Sequence, residues 1–214
     1  MVSVSARVVL LTGPSGSGKS SLLRRVGARR LKLDDFYRDG DEPDMPFLDG
    51  TLSGPLGASA EDANGAVDWD DARSWDSDRA MRAIRSLCAT GRALVPDYSI
   101  PDNATVGHSQ LDLGGATVFV AEGIFAADLV ERCRADGVLA DAMCLTRPRV
   151  LTWWFRLRRD LAARRKPPHV LLARGVRLAR EEPVVLAGWV AKGCQPVSRA
   201  ACETRIQALM DGAV

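Results

Sequence analysis

The stretch Gly13-Pro14-Ser15-Gly16-Ser17-Gly18-Lys19-Ser20 constrains what this chain can fold into more than any other. It follows the spacing G-x-x-x-x-G-K-[ST] of a phosphate-binding P-loop. Gly13, Gly16 and Gly18 let the backbone curl close to a polyphosphate, so that its N–H groups face the oxygens. Lys19 brings a positive charge to the β- and γ-phosphates, and Ser20 offers a hydroxyl to Mg2+. A helix opening there turns its positive end toward the anion. The flanks agree with this reading. Arg7 to Thr12 is a short apolar, β-branched run, as a buried parallel strand should be. Ser21 to Ala28 has helical spacing, with Leu22, Leu23 and Val26 on one side. A plain Gly-Ser loop is the alternative, and it explains neither flank.

Composition narrows the class. The chain has 214 residues, enough for one α/β domain with a sizeable core. A formal net charge of +2 gives no reason to expect a polyanionic partner, so neither nucleic acid nor a membrane is expected. Cys88, Cys133, Cys144, Cys194 and Cys202 are scattered without a C-x-x-C pair, which predicts free thiols in a reducing compartment, hence the cytoplasm. His108 and His169 lie far apart in sequence, which argues against a zinc site. The apolar N-terminal run reads as a core strand rather than a signal peptide. No stretch is long and apolar enough to span a bilayer, and no internal repeat stands out.

Further along, Arg30-Leu31-Lys32-Leu33 is a short strand candidate that ends at Asp34-Asp35-Phe36-Tyr37. Ligands of parallel α/β sheets sit beyond the carboxyl ends of the strands. Asp34 is therefore the candidate general base and a group near Mg2+, the bland alternative being a capping or loop aspartate. Residues 38–66 are rich in Gly, Pro and Asp and read as a flexible loop with no assigned chemistry. Val67 to Asp76 interleaves acids with Trp69 and Trp75, which suits a polar ligand with a flat part or, equally, a capped helix start over core tryptophans. Ser77 to Thr90 reads as a helix stopped by Gly91. Ala93–Pro96 reads as a strand, and the alternation in Ser109–Leu113 predicts a small hairpin region at about 97–116. Thr117 to Ala121 is a buried strand followed by Glu122-Gly123, with Glu122 a second acid near the metal, acting through water. Phe125 to Ala135 reads as a helix, Ala140 to Leu145 as a strand, and Pro148 opens a long helix. That helix carries Arg156, Arg158, Arg159, Arg164, Arg165 and Lys166, a one-sided cluster that fits a phosphate-clamping lid at about 156–168. Val184–Val190 is strand or helix, and Val197–Met210 a terminal helix.

Taken in this order, the chain resembles the uridine kinase family of P-loop nucleoside kinases and is similar to the phosphoribulokinase and nicotinamide riboside kinase branches. Asp34-Asp35-Phe36-Tyr37 matches a D-x-[FY]-Y motif, Asp68 to Asp76 matches N-F-D-H-P-D-A-F-D in spacing and aromatics, and Glu122-Gly123-Ile124 matches E-G-[IL]. Arg156-Leu157-Arg158-Arg159-Asp160 matches the lid motif R-x-x-R-D. The resemblance implies that Asp34 is the catalytic aspartate and that Asp70 holds the ribose hydroxyls. Tyr37, Trp69 and Tyr98 would line the acceptor site with Asn103, Arg159 and Lys166. Lys19, Arg156, Arg159 and Arg164 would meet the transferring charge. Gly13, Ser15, Gly16, Ser17, Gly18, Lys19, Ser20 and Ser21 would bind ATP, and Ser20, Asp34 and Glu122 would serve Mg2+.

The chain also departs from the pattern. Asn103 stands where the family has a histidine that reads the pyrimidine edge; Asp71 and Ala72 replace a His-Pro, and Arg165 replaces a lid glycine. The doubled Asp34-Asp35 before Phe36 is similar to nicotinamide riboside kinases. The expectation is a doubly wound parallel sheet of the P-loop kinase type, with helices on both faces and a helical lid, forming a single domain over 1–214. The expected activity is ATP- and Mg2+-dependent phosphorylation of a ribonucleoside 5′-hydroxyl, uridine or cytidine first. Nicotinamide riboside, pantothenate or a phosphorylated sugar as acceptor, a nucleotide-driven switch or assembly ATPase, and a non-catalytic nucleotide-binding module are the alternatives. Expected partners are the small acceptor and, as an open possibility, further copies of the chain.

Overall fold

A computed structural model of the chain describes residues 6–14, 16–54, 57, 59, 66–146 and 183–212. Ser15, the expected helix from Pro148, and the lid with Arg156, Arg159, Arg164 and Lys166 lie outside the described residues. In chain order the elements are β1 (Arg7–Thr12), α1 (Lys19–Val26), β2 (Arg29–Lys32), α2 (Ser77–Thr90), β3 (Arg92–Ser99), β4 (Ala104–Asp112), β5 (Val118–Glu122), α3 (Val130–Ala135), β6 (Leu139–Leu145), β7 (Gln195–Val197) and α4 (Arg199–Met210). Short 3-10 turns occupy Leu33–Phe36, Ala72–Ser74 and Ala126–Leu129, and 183–191 is helical. The chain divides into two compact units, Lys32–Gly115 and Ala6–Leu31 with Ala116–Val214.

The second of these holds a sheet in the order β2-β5-β1-β6-β7. β1 runs parallel to β5 and to β6, and β6 runs parallel to β7. Strands buried on both faces need apolar residues at every position, and Val8-Val9-Leu10-Leu11 supplies them with no exposure at any of the four. Successive side chains point to opposite faces. Val9, Leu11, Val120, Met143 and Leu145 pack with Leu22 and Leu23 of α1 and Cys202 and Ile206 of α4. The turn Ala126–Leu129 packs against β1, and α3 against β6. Each fully buried aliphatic side chain contributes roughly 1.5–3 kcal/mol.

The unit Lys32–Gly115 is built on α2 and the antiparallel pair β3–β4. Asp76 caps α2 by accepting from Arg79 N, and Ala80, Met81, Ile84, Leu87 and Cys88 form its buried face. Residues 36–38 pair with 74–76: Arg38 N donates to Ser74 O and Asp76 N to Phe36 O, each at 2.9 Å. The indole Nε1 of Trp75 donates to Leu33 O at 2.7 Å, pinning the turn that carries Asp34.

Several elements differ from the sequence reading. The hairpin spans Arg92–Asp112, longer than the alternation at Ser109–Leu113 predicts, because β3 pairs along its whole length despite Pro96. Asn103 ends its turn with φ 48°, a left-handed conformation that asparagine tolerates. Phe125–Ala135 is not one helix but a 3-10 turn followed by α3. The last helix starts at Arg199 rather than Val197, because Ser198 caps it by accepting from Ala201 N. The preceding Gln195–Val197 forms the edge strand β7, too short to show a period. Part of 38–66 is tied down: Asp39 accepts from Thr105 N and Gly40 N donates to Asn103 O, both at 2.7 Å, while Met45 is fully buried beside Val67.

Candidate functional site

β1 delivers the chain into the P-loop. Gly13 has φ 149°, and a Cβ placed there would lie 3.0 Å from Leu145 O, so the loop leaves β1 on a path that only glycine follows without strain. Gly18 caps α1 with φ 91°. The Lys19 ammonium folds back on its own loop, donating to Gly13 O at 2.6 Å and lying 3.4 Å from Pro14 O. Ser17 Oγ is buried without a hydrogen-bond partner among the described residues. A buried hydroxyl left unmatched costs about 1–3 kcal/mol, so this atom points to a ligand that supplies the missing bond.

Leu11 lies in register with Glu122, so β5 sets that carboxylate beside the end of β1. Gly123 N donates to Leu11 O at 3.3 Å, and Thr12 Oγ1 to Ile124 O at 3.1 Å, holding the turn after β5. Glu122 is buried, and its Oε1 accepts from Ser20 Oγ at 2.9 Å. Because Ser20 gives its proton to Glu122, its lone pairs remain for a cation. A hydroxyl and one carboxylate, beside a loop shaped for phosphate, fit Mg2+, which takes one or two protein ligands and completes its shell with phosphate oxygens and water. Ser21 Oγ donates instead to Gly18 O at 3.0 Å and accepts from Arg199 at 3.1 Å. Arg199 is a cation at the head of α1 that sequence reasoning missed. It arrives from a distant helix and belongs to no motif.

The other candidate residues cluster in the unit Lys32–Gly115. Tyr37, Trp69 and Tyr98 form an aromatic group with centroid separations of 5.6 Å (Tyr37–Trp69), 5.8 Å (Tyr37–Tyr98) and 6.4 Å (Trp69–Tyr98). Tyr37 is edge-on to Trp69 at 84°, and its hydroxyl donates to Trp69 O at 3.1 Å. Burial pushes the Tyr37 hydroxyl far above its ordinary pKa, and the carboxylates of Asp34, Asp70 and Asp68 push it further. The phenol therefore stays protonated, and those acids lie within electrostatic reach of it. Tyr98 is shifted the same way, by burial first and then by Asp39 and Glu42, and its hydroxyl lies 3.4 Å from Arg38 O.

The stretch 67–76 thus divides between its two sequence readings. Asp71 and Asp76 are caps, and Trp75 is buried. Asp71 is bound by Arg73, whose hydrogen bonds hold its pKa below the usual carboxylate value. Trp69 and Asp70 go instead with Tyr37. Asn103 is half-buried in the β3–β4 turn, where its carbonyl holds Gly40.

The sheet order, the loop between β1 and α1 and the layers packed on the sheet make an α/β fold of the P-loop kinase type. In fold the chain is similar to a protein from Silicibacter sp. TM1040 assigned as a fructose transport system kinase, with TM-score 0.55 and 16% identity over 85% of each chain. Other similar solved structures are a candidate uridine kinase from Bacillus stearothermophilus (TM-score 0.44, 16% identity, 72% of this chain and 77% of that one) and phosphoribulokinase from Rhodobacter spheroides (TM-score 0.41, 15% identity, 78% and 62%). No family model matches the chain, and no curated protein matches it. Among the described residues no helix is long and apolar enough to cross a membrane.

Proposed function

We propose that the chain is an ATP-dependent kinase that transfers the γ-phosphoryl group to the 5′-hydroxyl of a ribonucleoside, uridine or cytidine first. The observation that carries the acceptor reading is the group Tyr37, Trp69 and Tyr98, with Asp34 and Asp70 within electrostatic reach of the Tyr37 hydroxyl. Flat rings suit a base, and carboxylates suit hydroxyls. The donor reading rests on Lys19, Ser17, Ser20 and Glu122 around the P-loop.

In this mechanism the P-loop amides and Lys19 hold the β- and γ-phosphates. Ser20 and Glu122 would hold Mg2+, which would neutralise phosphate charge. Asp70, Trp69 and Tyr98 orient the acceptor, and Asp34 takes the proton of the attacking hydroxyl. The hydroxyl oxygen bonds to the γ-phosphorus as the bond to the β–γ bridging oxygen breaks, and ADP leaves. Arg156, Arg159 and Arg164 would meet the transferring charge, and Lys166 would serve the acceptor. The protein's part is positioning and charge neutralisation, as phosphoryl transfer requires.

A second reading is favoured by the same cluster. Asp34, Asp68 and Asp70, within electrostatic reach of Tyr37 in the aromatic group, also suit an acceptor with a cationic ring, such as nicotinamide riboside. ADP release from ATP and Mg2+ is measured with uridine, cytidine, adenosine, nicotinamide riboside, pantothenate, fructose and ribulose 5-phosphate. Strong stimulation by a pyrimidine nucleoside supports the first reading, and by nicotinamide riboside the second. Slow turnover unaffected by any acceptor overturns both and favours a nucleotide-driven switch.

A further inference from the structure

β2 contributes a residue to the P-loop side of the sheet that none of the motifs contains. Arg30 Nε lies 3.5 Å from Glu122 Oε1, the same oxygen that accepts from Ser20 at 2.9 Å. The side chains are 25% and 7% exposed, so the pair is shielded from most of the solvent. β2 and β5 are neighbours in the sheet, which sets Arg30 beside the last residue of β5. Glu122 thus serves two groups through one oxygen: the hydroxyl that would ligate a metal, and a permanent cation.

We propose that Arg30 is a positioning residue that tempers the metal site. It fixes the Glu122 carboxylate against Ser20 and neutralises part of the charge that Glu122 offers to a divalent ion. A divalent ion would then owe less of its binding to Glu122 and more to the nucleotide's phosphates. This inference rests on the reading of the P-loop as a metal–nucleotide site, but on no particular acceptor. The physical basis is that a guanidinium is always charged and that charges a few ångströms apart interact strongly when shielded from water. A charged residue on an edge strand is otherwise ordinary, with no bearing on a metal.

The test is Mn2+ binding in the presence of the ATP analogue AMP-PNP, followed by the electron paramagnetic resonance of free Mn2+. Arg30→Gln removes the charge and keeps a polar side chain of similar reach, and the expected result is Mn2+ binding tighter by roughly three- to tenfold. Arg30→Lys restores the charge and should return the affinity to within about twofold of wild type. In a Glu122→Gln background, Arg30→Gln should have no effect on Mn2+, which separates the ion pair from a general change in surface charge. If Arg30→Gln does not fold, Arg30→Met, which keeps an aliphatic stem, gives the same reading. Equal or weaker Mn2+ binding in the Arg30 variants overturns the inference while leaving the proposed function intact. A wild-type protein that binds no Mn2+ with AMP-PNP overturns both.

Discussion

The Ser20 hydroxyl and the Glu122 carboxylate, 102 residues apart in sequence, meet at 2.9 Å at the head of the first helix. The contact joins a loop that follows β1 to the last residue of β5, and parallel strand pairing makes it. It turns two separate motifs into one donor set, and the predictions that follow begin there.

Lys19→Ala should reduce phosphotransfer by at least about a hundredfold while the fold survives, since removing a charge aimed at the transferring phosphate costs that order of rate. The ammonium donates to a carbonyl of its own loop, Gly13 O, and a melt reads whether the loop needs that bond. Steady-state kinetics beside a thermal melt checks both halves. A large drop in Tm would show that Lys19 holds the loop together instead.

Asp34→Asn keeps the shape of the side chain and removes its basicity. If Asp34 takes the proton, kcat falls roughly 10²–10⁴-fold with nucleotide affinity unchanged. Near wild-type turnover would remove Asp34 from the base role and leave Asp70 or water to replace it.

Asp70→Ala should raise the acceptor KM and lower kcat, with AMP-PNP affinity unchanged within about twofold. Trp69→Ala should raise the acceptor KM by roughly tenfold, the scale of one lost aromatic contact. Isothermal titration with nucleotide separates the effects: equal losses of nucleotide affinity would move this cluster out of the acceptor site.

Trp75→Phe deletes one donor and part of a buried ring, so the cost joins a lost hydrogen bond to a small cavity. Leu33 O then loses the indole N–H that it accepts at 2.7 Å in a buried setting. The expected cost is about 1–3 kcal/mol of stability, read by urea denaturation. Because Leu33 precedes Asp34, kcat should fall as well, and the two effects together would mark the turn as a support for the base.

Cys194 and Cys202 are buried, and burial pushes both thiols from the ordinary value of 9.0 up to about 12. The folded chain therefore keeps protons that the unfolded chain releases. Stability contributed by these thiols is complete below about pH 9 and declines up to about pH 12. Cys202→Ala should flatten part of that alkaline decline in Tm. At pH 8 both thiols should resist iodoacetamide until the protein is denatured. Rapid labelling of Cys202 in the native protein would show that the helix α4 opens readily.

Much of this arrangement was legible in the chain before any contact was known. The spacing of the P-loop is legible because glycines that adopt positive φ, Gly13 at 149° and Gly18 at 91°, are marked by residue type, although the close neighbour of Gly13, Leu145, comes from β6, far along the chain. Helix α2 was readable over Ser77–Thr90 because its apolar period and the stop at Gly91 are properties of the segment itself. The apolar run of β1 announced a strand buried on both faces. β7 was not readable, because three residues show no period and only the edge of β6 makes them a strand.

The candidate site divides along the same line. The P-loop spacing nominated Lys19 and Ser20, and position just beyond a strand candidate nominated Asp34 and Glu122. Only the tertiary structure decided which aspartates of the 67–76 stretch became caps and which joined Tyr37, since capping depends on where each backbone turns. Only strand pairing brought Arg30 to Glu122, and only the return of α4 brought Arg199 to Ser21. A local sequence specifies its own turns and faces. Which distant carboxylate meets which cation depends on the order of strands in the sheet, and no window of residues contains that order.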